Sequence, residues 1–202
     1  MIRDQRGFTL SELLVAAAII GLVMAGVSTM LLSGSQVSLA GTNQIEAQQA
    51  ARATLQRIVQ ELNAAGYDPQ GLAGTTPLAC AWNPIVGPSP GFGVPTATSL
   101  TIQNDLDGDG CIVVTERIWY NLSGTALQRQ DFAVDGLPQT ILGGVQALTF
   151  TYFDQDGNAT VNPAAMRAVR IVLTVQPEQQ PTIWQAGRVA VTVQDQVRLR
   201  NR

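Results

Sequence analysis

The hydrophobic pattern of the chain begins with an apolar run from Phe8 to about Leu32, interrupted only by Glu12 and small hydroxyl residues. A helix of about 20 apolar residues crosses the hydrocarbon core of a bilayer. Arg3 and Arg6 precede the run and no basic residue follows it closely, which predicts a cytoplasmic N-terminus with the rest of the chain across the membrane. A secretory signal peptide is the alternative, because "LLSGSQVSLAGT" offers small residues for cleavage.

An amphipathic helical pattern follows, with no proline between Gln36 and Ala65. Apolar residues recur there at steps of three and four, at Ala47, Ala51, Leu55, Ile58 and Leu62, whereas Glu46, Arg52, Arg57 and Glu61 lie off that stripe. Gly66 suits a helix end, and Pro69 follows it. We expect one helix from Phe8 to Ala65, apolar all round in its first half and on one face in its second. Signal-peptide cleavage would remove half of that helix.

The remainder of the chain alternates between apolar and polar residues after a long loop. Residues 67–98 are rich in proline and glycine and have no periodicity. Six later segments alternate, namely "SLTIQ", "CIVVTERIWYNL", "TALQRQ", "QALTFTYFD", "MRAVRIVLTVQ" and "RVAVTVQDQVRLR". A period of two indicates antiparallel strands with one buried face. The predicted fold class is therefore α+β, with the second half of the helix packed on an antiparallel β-sheet.

The composition argues against catalysis. The chain has 202 residues and a formal charge of −3, its 12 basic residues are all arginine, and it contains no histidine. Without histidine it lacks the commonest general base and transition-metal ligand. The pattern G-x-x-x-x-G-K-[ST] does not occur, and "GPSPG", which fits G-x-S-x-G, has no histidine in the chain to complete a catalytic triad. We expect that the protein is not an enzyme, and a mildly acidic chain has no general attraction to nucleic acid.

The two cysteines, Cys80 and Cys111, cannot make a zinc site without histidine. If the domain lies outside the cytoplasm, a disulfide between them is the natural expectation. It would close a loop of about 30 residues and stabilise the fold by roughly 3–4 kcal/mol on the chain-entropy model. Two unpaired buried thiols are the alternative.

An acidic segment, "DLDGDGCIVVTE", matches the calcium-loop pattern D-x-D-x-D-G-x5-E. The expected ligands are the carboxylates of Asp105, Asp107, Asp109 and Glu116 and the carbonyl of Cys111, with Gly110 at the sharp turn. Against calcium, no helix precedes the loop, and residues 112–122 have the pattern of a strand that would direct Glu116 along a sheet. The alternative is an Asp- and Gly-rich turn between strands. Calcium is the only cofactor that the sequence suggests.

Two other polar segments have structural explanations. "FDQDGNAT" has Asp154, Asp156 and Asn158 but lacks the remaining calcium ligands, so a hairpin turn is expected. The C-terminal "RLRNR" places three arginines on one strand face, at Arg198, Arg200 and Arg202. Contact with DNA phosphates is one interpretation. The sequence shows no groove or aromatic partner for them, so a solvated strand end is expected.

The start of the apolar run, "GFTLSELL", resembles the signature of type IV prepilins and of the pseudopilins of type II secretion. The resemblance implies that a prepilin peptidase cuts after Gly7 and N-methylates the new first residue, Phe8. Glu12 then occupies the fifth mature position, in register with the family. Ser11 is a mild departure, since the family usually has an aliphatic residue there.

This resemblance gives Glu12 a role in assembly. Cleavage creates a positive amine on Phe8, and in a filament of staggered helices the carboxylate of Glu12 in one subunit meets the Phe8 amine of a neighbour. Two charges that are costly in lipid then neutralise each other and set the axial register. A carboxylate that simply reaches the lipid headgroups is the alternative. The chain would comprise a leader (residues 1–7), a transmembrane and assembly helix (8–32), an amphipathic continuation (33–66) and a β-rich domain (67–202).

A second, weaker resemblance covers "ARATLQRIVQELNAAGYDP", which is similar to the end of the long helix in PilW-type minor pilins. It implies a minor pilin that primes assembly or sits at the tip. The expected partners are other pilins, the prepilin peptidase and the inner-membrane assembly platform. The expected location is the inner membrane before assembly, and then the pilus in the periplasm or at the cell surface. The alternatives are a J-type minor pseudopilin of type II secretion and a membrane-anchored calcium-binding or adhesive domain that never polymerises.

Overall fold

The long helix expected from the sequence is present as one element. In a computed structural model, which describes residues 9–67, 85–86, 95–107, 113–177 and 190–200, helix α1 spans Leu10–Ala64. Gly66 follows it with a φ of 75°, a left-handed conformation that glycine adopts without steric cost. The N–H of Gly66 donates to the carbonyl of Gln103 at 2.9 Å. The end of the helix is therefore attached to a strand of the domain.

The C-terminal part of α1 buries the stripe that the sequence pattern indicates. Ala51, Ile58 and Leu62 have no exposed surface, Leu55 is 7% exposed, and Ala47 packs at the margin of the core. Each large aliphatic side chain that is fully buried contributes about 1.5–3 kcal/mol. The spacing of these residues thus accounts for both the helix and its packed face.

Among the described residues, five antiparallel strands form the first sheet, and each pairs with the next along the chain. They are β1 (Ile85–Val86), β2 (Ser99–Gln103), β3 (Arg117–Ser123), β4 (Ala126–Asp131) and β5 (Gln139–Leu142). The turn from β3 to β4 contains Gly124, whose φ of 60° explains the choice of glycine. All residues of β2 are buried, so this strand is covered on both faces.

In the described part of the chain, three antiparallel strands form the second sheet, with β7 in the centre. They are β6 (Val145–Phe153), β7 (Ala168–Val175) and β8 (Val191–Arg198). The predicted inward face of β7 is confirmed, because Val169, Ile171, Leu173 and Val175 are all buried. Arg170, between two of them, is exposed, as expected for a sheet with one solvated face.

One hydrophobic cluster joins the helix to both sheets. It contains Leu55, Ile58 and Leu62 from α1, Leu100 and Tyr120 from the first sheet, and Phe150, Ile171 and Leu173 from the second. An amphipathic helix on antiparallel sheets is the α+β, pilin-like arrangement that the pattern predicted, and this expectation is confirmed.

The strands depart from the expectation in several respects. The pattern suggested one sheet, whereas the described strands divide into two. Strand β1 lies within residues 67–98, which were expected to be a loop, and β5 was not predicted because its short sequence barely alternates. The segment 112–122 does not form a strand throughout. A 3-10 turn occupies Val114–Glu116, and β3 begins only at Arg117. The exposed Val113 and Val114 lack a buried face, so β-branched residues alone misled the prediction.

The chain divides into two compact units after Asn43. By length and composition, α1 contains a segment apolar enough to span a membrane, and none of that segment is buried. Leu10, Leu22 and Met30 are 79%, 77% and 80% exposed. An apolar surface of this extent is characteristic of contact with lipid or with other protein chains.

Candidate functional site

The first candidate site is the start of α1, where Thr9 and Glu12 bond to each other. Thr9 is the residue before the helix and Glu12 is its third residue. The N–H of Glu12 donates to Oγ1 of Thr9 at 3.3 Å, and the N–H of Thr9 donates to Oε2 of Glu12 at 3.0 Å. This reciprocal pair is a capping box, which satisfies two N–H groups that have no partner within the helix.

The hydroxyl of Thr9 adds a further bond, since Oγ1 lies 2.9 Å from Oε2 of Glu12. Within one chain, therefore, the Glu12 carboxylate already has hydrogen-bond donors and lies at the positive end of the helix dipole. The sequence analysis predicted a partner for Glu12 in a neighbouring subunit but did not predict Thr9. The pattern T-x-x-E is itself a capping signal and could have indicated this contact. Gly7 and Phe8 lie outside the described residues, so the cleavage site and the pairing with an amine stay predictions.

The second candidate site is a group of three carboxylates from the acidic motif. One oxygen each from Asp105, Asp107 and Glu116 lie within 4.8 Å of one another. Asp105 is fully buried, Glu116 is 5% exposed and Asp107 is exposed. The structure thus brings together three of the predicted calcium ligands. Asp109 and Cys111, together with the other member of the expected disulfide, Cys80, lie outside the described residues.

The side chain of Glu116 holds the two ends of the acidic loop together by accepting hydrogen bonds from backbone N–H groups. Its Oε1 accepts the N–H groups of Leu106 at 2.7 Å and Asp107 at 3.3 Å, and its Oε2 accepts the N–H of Val113 at 2.9 Å. The prediction that a strand would direct Glu116 away from the loop is wrong. Because Val114–Glu116 is a 3-10 turn, the side chain returns to the acidic residues instead.

The geometry of the three carboxylates suits a calcium ion. Calcium takes oxygen ligands at about 2.3–2.6 Å, so two ligands of one ion are at most about 5 Å apart, and the observed spread lies within that limit. In the same loop, Oδ1 of Asn104 is buried and has no hydrogen-bond partner within the described part of the chain. Such an atom is rare in folded proteins, because burying an unpaired polar group costs roughly 1–3 kcal/mol.

A third polar cluster attaches α1 to the first sheet. The hydroxyl of Tyr120 donates to Oε2 of Glu61, and Nε of Arg129 donates to Oε1 of Glu61 at 3.1 Å. Arg129 also forms ion pairs with Asp131 at 3.0 Å and Asp135 at 3.6 Å. The sequence pattern placed Glu61 off the buried stripe, but strands β3 and β4 provide its partners. We call Glu61, Tyr120 and Arg129 the helix–sheet clamp.

The surroundings of the clamp raise the pKa values of both Tyr120 and Arg129. Burial, reinforced by the charge of Glu61, raises the pKa of the Tyr120 hydroxyl well above its ordinary value. Burial acts to lower the pKa of Arg129, but Glu61 and Asp131 outweigh it and raise that pKa overall. Tyr120 therefore stays protonated and donates, and Arg129 stays charged. These groups stabilise the packing of α1 and show no arrangement for catalysis.

The segment "FDQDGNAT" forms the expected turn. Oδ1 of Asp154 accepts the N–H groups of Asp156 and Asn158, both at 2.9 Å, and Gly157 has a φ of 82°. Hydrogen bonds from Asn158 hold the pKa of Asp154 below its usual range. Phe153 and Ala159 form an isolated bridge across the turn. Strand β7 starts later, at Ala168, so the turn does not join β6 directly to β7.

Comparison with known protein families finds a match at the N-terminus. Residues 2–28 match the family model described as the prokaryotic N-terminal methylation motif. No curated protein matches the chain. The matched segment includes Glu12 and the expected cut between Gly7 and Phe8. Residues 2–28 therefore carry a type IV prepilin-like signature.

Proposed function

We propose that this protein is a minor type IV pilin of the PilW type, which is made as a membrane-anchored prepilin and then incorporated into a filament. The observation that carries the proposal is the methylation motif at residues 2–28, which overlaps an apolar helical segment of which none is buried. Proteins with this signature are structural pilins and are not known as enzymes.

The two parts of α1 suit the two stages of this proposed function, which are anchoring in the membrane and assembly into a filament. The first part fits a membrane anchor before assembly and offers an apolar surface that neighbouring helices would cover in a filament. The second part is packed in its own domain through Ile58 and Leu62. The domain can therefore stay folded while the surroundings of the first part change from lipid to protein.

Glu12 would change partner at assembly. In the single chain, Thr9 provides donors to its carboxylate. In the filament, the new amine of Phe8 on a neighbour provides a positive charge, and an ion pair in an apolar core is stronger than a hydrogen bond from a neutral donor to the same carboxylate. The capping box thus lowers the cost of a carboxylate in the membrane until a neighbour arrives.

The test is the mass of the protein extracted from membranes of cells that contain a prepilin peptidase. We expect loss of residues 1–7 and one added methyl group on Phe8. Gly7→Val, which places a bulky residue at the cut, should leave the precursor intact. An intact N-terminus in the unmodified chain would contradict the proposal and favour an anchored domain that never polymerises.

A J-type minor pseudopilin of type II secretion is the competing assignment, because it shares the signature and the fold class. Capture of partner proteins separates the two. We expect cross-linked complexes, purified from membranes after mild solubilisation, to contain minor pilins and the pilus assembly platform. Recovery of secretion pseudopilins alone would assign the chain to the secretion system instead.

We also propose that Asp105, Asp107 and Glu116 hold a calcium ion. Support comes from the match to the calcium-loop pattern and from the 4.8 Å grouping of their oxygens. The two oxygens of a carboxylate offer about four lone-pair sites, and three backbone N–H groups use three of those on Glu116. Glu116 would therefore give the ion one bond through Oε2, and not the bidentate contact typical of such loops.

Calorimetry of residues 36–202 with calcium tests this second proposal. We expect heat of binding at micromolar to millimolar calcium, the range of such sites, and a marked loss of affinity in Asp107→Asn. Asp156→Asn, which alters an exposed aspartate in the other turn, is the matched control and should bind normally. Absence of heat up to millimolar calcium would exclude the site.

A further inference from the structure

A concave site lies on the outer face of the second sheet, with a volume of about 270 Å³. We call it the arginine pocket, and its defining residues are Phe153, Arg167, Ala168, Arg170, Gln196 and Arg198. Strand alternation separates it from the core, since the neighbouring Val169 and Val197 are buried whereas Arg170 and Arg198 are exposed. Neither the methylation motif nor the proposed calcium loop includes any of these residues.

The register of the strands creates the depression. Ala168 pairs with Phe153 on one side and with Arg198 on the other. Residues that pair directly across strands project from the same face, so the small side chain of Ala168 lies between two large ones. The turn after Phe153 lines the rim with Asp154 and Gln155. A cavity somewhat smaller than drug-sized ligand pockets accommodates one small unit of a larger molecule.

Three arginines line this pocket in a chain whose net charge is −3. Arg170 lies over the ring of Phe153, 5.0 Å from its centroid, and donates to Oε1 of Gln196 at 3.2 Å. Arg167 donates through Nη1 to two backbone carbonyls at 3.0 and 3.2 Å. Those contacts fix two guanidinium groups while most of their five N–H donors remain available. Among the described residues, the guanidinium group of Arg198 has no hydrogen bond or ion pair.

Asp154 is the acidic residue among those that line the pocket. Its carboxylate is engaged by the N–H groups of its own turn, at Asp156 and Asn158, and so does not neutralise the arginines by direct contact. Three positive groups and one negative group leave the lining with an excess of two positive charges. A guanidinium fork matches the geometry of carboxylate, sulfate and phosphate oxygens.

The remaining lining favours an acidic sugar over a nucleic-acid strand. Single-stranded nucleic acid needs open aromatic platforms and a basic track. Among the described lining residues the aromatic side chain is Phe153, and Arg170 covers it. The amides of Gln155 and Gln196 can both donate to and accept from sugar hydroxyls.

We propose that the arginine pocket binds one acidic sugar unit of a polysaccharide, with the sugar carboxylate on Arg198 and Arg170 and the sugar hydroxyls on the two glutamine amides. Binding requires no bond formation. The proposal does not depend on prepilin processing, because every residue of the pocket belongs to the compact unit that begins at Gln44. Failure of the cleavage experiment and failure of this one are therefore distinguishable.

Isothermal titration of the full chain in detergent micelles tests the pocket, with trigalacturonate as the probe. We expect binding that weakens as salt is added. Arg198→Gln should lower the affinity about tenfold or more, the effect of losing a charge-assisted hydrogen bond. Arg52→Gln, which alters an exposed arginine on α1, is the matched control and should bind normally. Ala168→Leu should also abolish binding by filling the depression, with the melting temperature as a check on folding.

Three other probes make the test decisive. A neutral galactose trimer and sodium sulfate should bind at least tenfold more weakly than trigalacturonate. Equal binding of sulfate would reduce the pocket to a general anion site and overturn the proposal, as would equal binding of the neutral trimer. Tighter binding of oligothymidylate would assign the pocket to nucleic acid. No trigalacturonate binding at millimolar concentration, or an unchanged affinity in Arg198→Gln, would also overturn it.

Discussion

The two parts of helix α1 share one backbone but differ in their surroundings. From Leu10 to about Leu32 the side chains are apolar on nearly all sides and exposed, whereas from Ala51 onward one stripe is buried in the domain. The two parts also carry carboxylates with different partners. Glu12 bonds to Thr9 within its own helix, whereas Glu61 bonds to two strands of the first sheet.

The comparison shows that hydrophobicity alone does not identify a core. The most apolar segment of the chain contributes nothing to the packed interior, whereas a more polar segment with correct spacing contributes Ile58 and Leu62. Apolar residues distributed around a helix have no single direction in which to pack. The first part of α1 therefore needs a lipid or protein environment, and the second part has one in its own domain.

The largest difference between the parts should appear in Glu12→Ala. We expect prepilin cleavage to proceed while incorporation into filaments is lost, because no carboxylate remains to neutralise the neighbouring amine in an apolar core. The measurement is immunodetection in sheared filaments, with mass analysis of the membrane fraction for cleavage. Thr9→Val, which keeps the carboxylate, is the companion variant and should still assemble. Normal incorporation of Glu12→Ala would refute the pairing.

A matched pair of isoleucines tests the contrast in packing. Ile58 is fully buried and Ile19 is 60% exposed on the same helix. Ile58→Ala should lower the free energy of unfolding by about 2–5 kcal/mol, the range for a buried large-to-small change. Ile19→Ala should leave it within about 0.5 kcal/mol. Chemical denaturation of the full chain in micelles, followed by tryptophan fluorescence, measures both. Equal effects would mean that the first part of α1 also packs in the domain.

A second pair of variants compares two glutamates of α1, one in the clamp and one exposed to solvent. Glu61→Ala removes the acceptor for Tyr120 and Arg129 and should destabilise the domain by about 1.5–3 kcal/mol, the range for hydrogen bonds to a charged group. Glu46→Ala alters an exposed glutamate on the same helix and should have an effect of about 0.5 kcal/mol or less. The same denaturation experiment applies. A negligible effect of Glu61→Ala would show that burial of the stripe suffices to hold α1.

The sequence predicted features that depend on regular spacing. The stripe on α1, its end before Gly66, the inward face of β7 and the capped turn at Asp154 all follow from local pattern and turn chemistry. The position of Glu116 did not follow, because β-branched residues beside it favoured a strand and the 3-10 turn depends on bonds to residues about ten positions earlier.

Contacts between distant strands were equally hidden from the sequence. Arg129 and Tyr120 become partners of Glu61 only once β3 and β4 lie beneath the helix. The arginine pocket likewise depends on Phe153 and Arg198 both pairing with Ala168. The segment "RLRNR" shows its arginines in the sequence but not the depression beside them, because strand register creates that depression. Long-range register is the information that local periodicity lacks.

Alkaline pH should also distinguish the two parts of α1. Tyr120 and Tyr152 are buried, and burial raises the pKa of both hydroxyls above their ordinary value. A folded-state pKa above the unfolded one gives stability that is complete below the unfolded pKa of about 10. That stability is lost as the pH rises toward the folded value, by about 1.4 kcal/mol per pH unit for each group.

The clamp and the first part of α1 should therefore respond differently to base. Between about pH 10 and 11.5 the free energy of unfolding should fall, and Tyr120→Phe should reduce its slope by about half, because Tyr152 alone then titrates. The variant also loses one bond to Glu61, so the slope is the diagnostic quantity. Helicity of a peptide of residues 9–43, which contains no tyrosine, should stay constant in micelles over that range. An unchanged slope in Tyr120→Phe would mean that Tyr120 ionises in the folded protein as readily as in the unfolded chain. The clamp would then lack the buried donor that attaches the second part of α1 to the sheet.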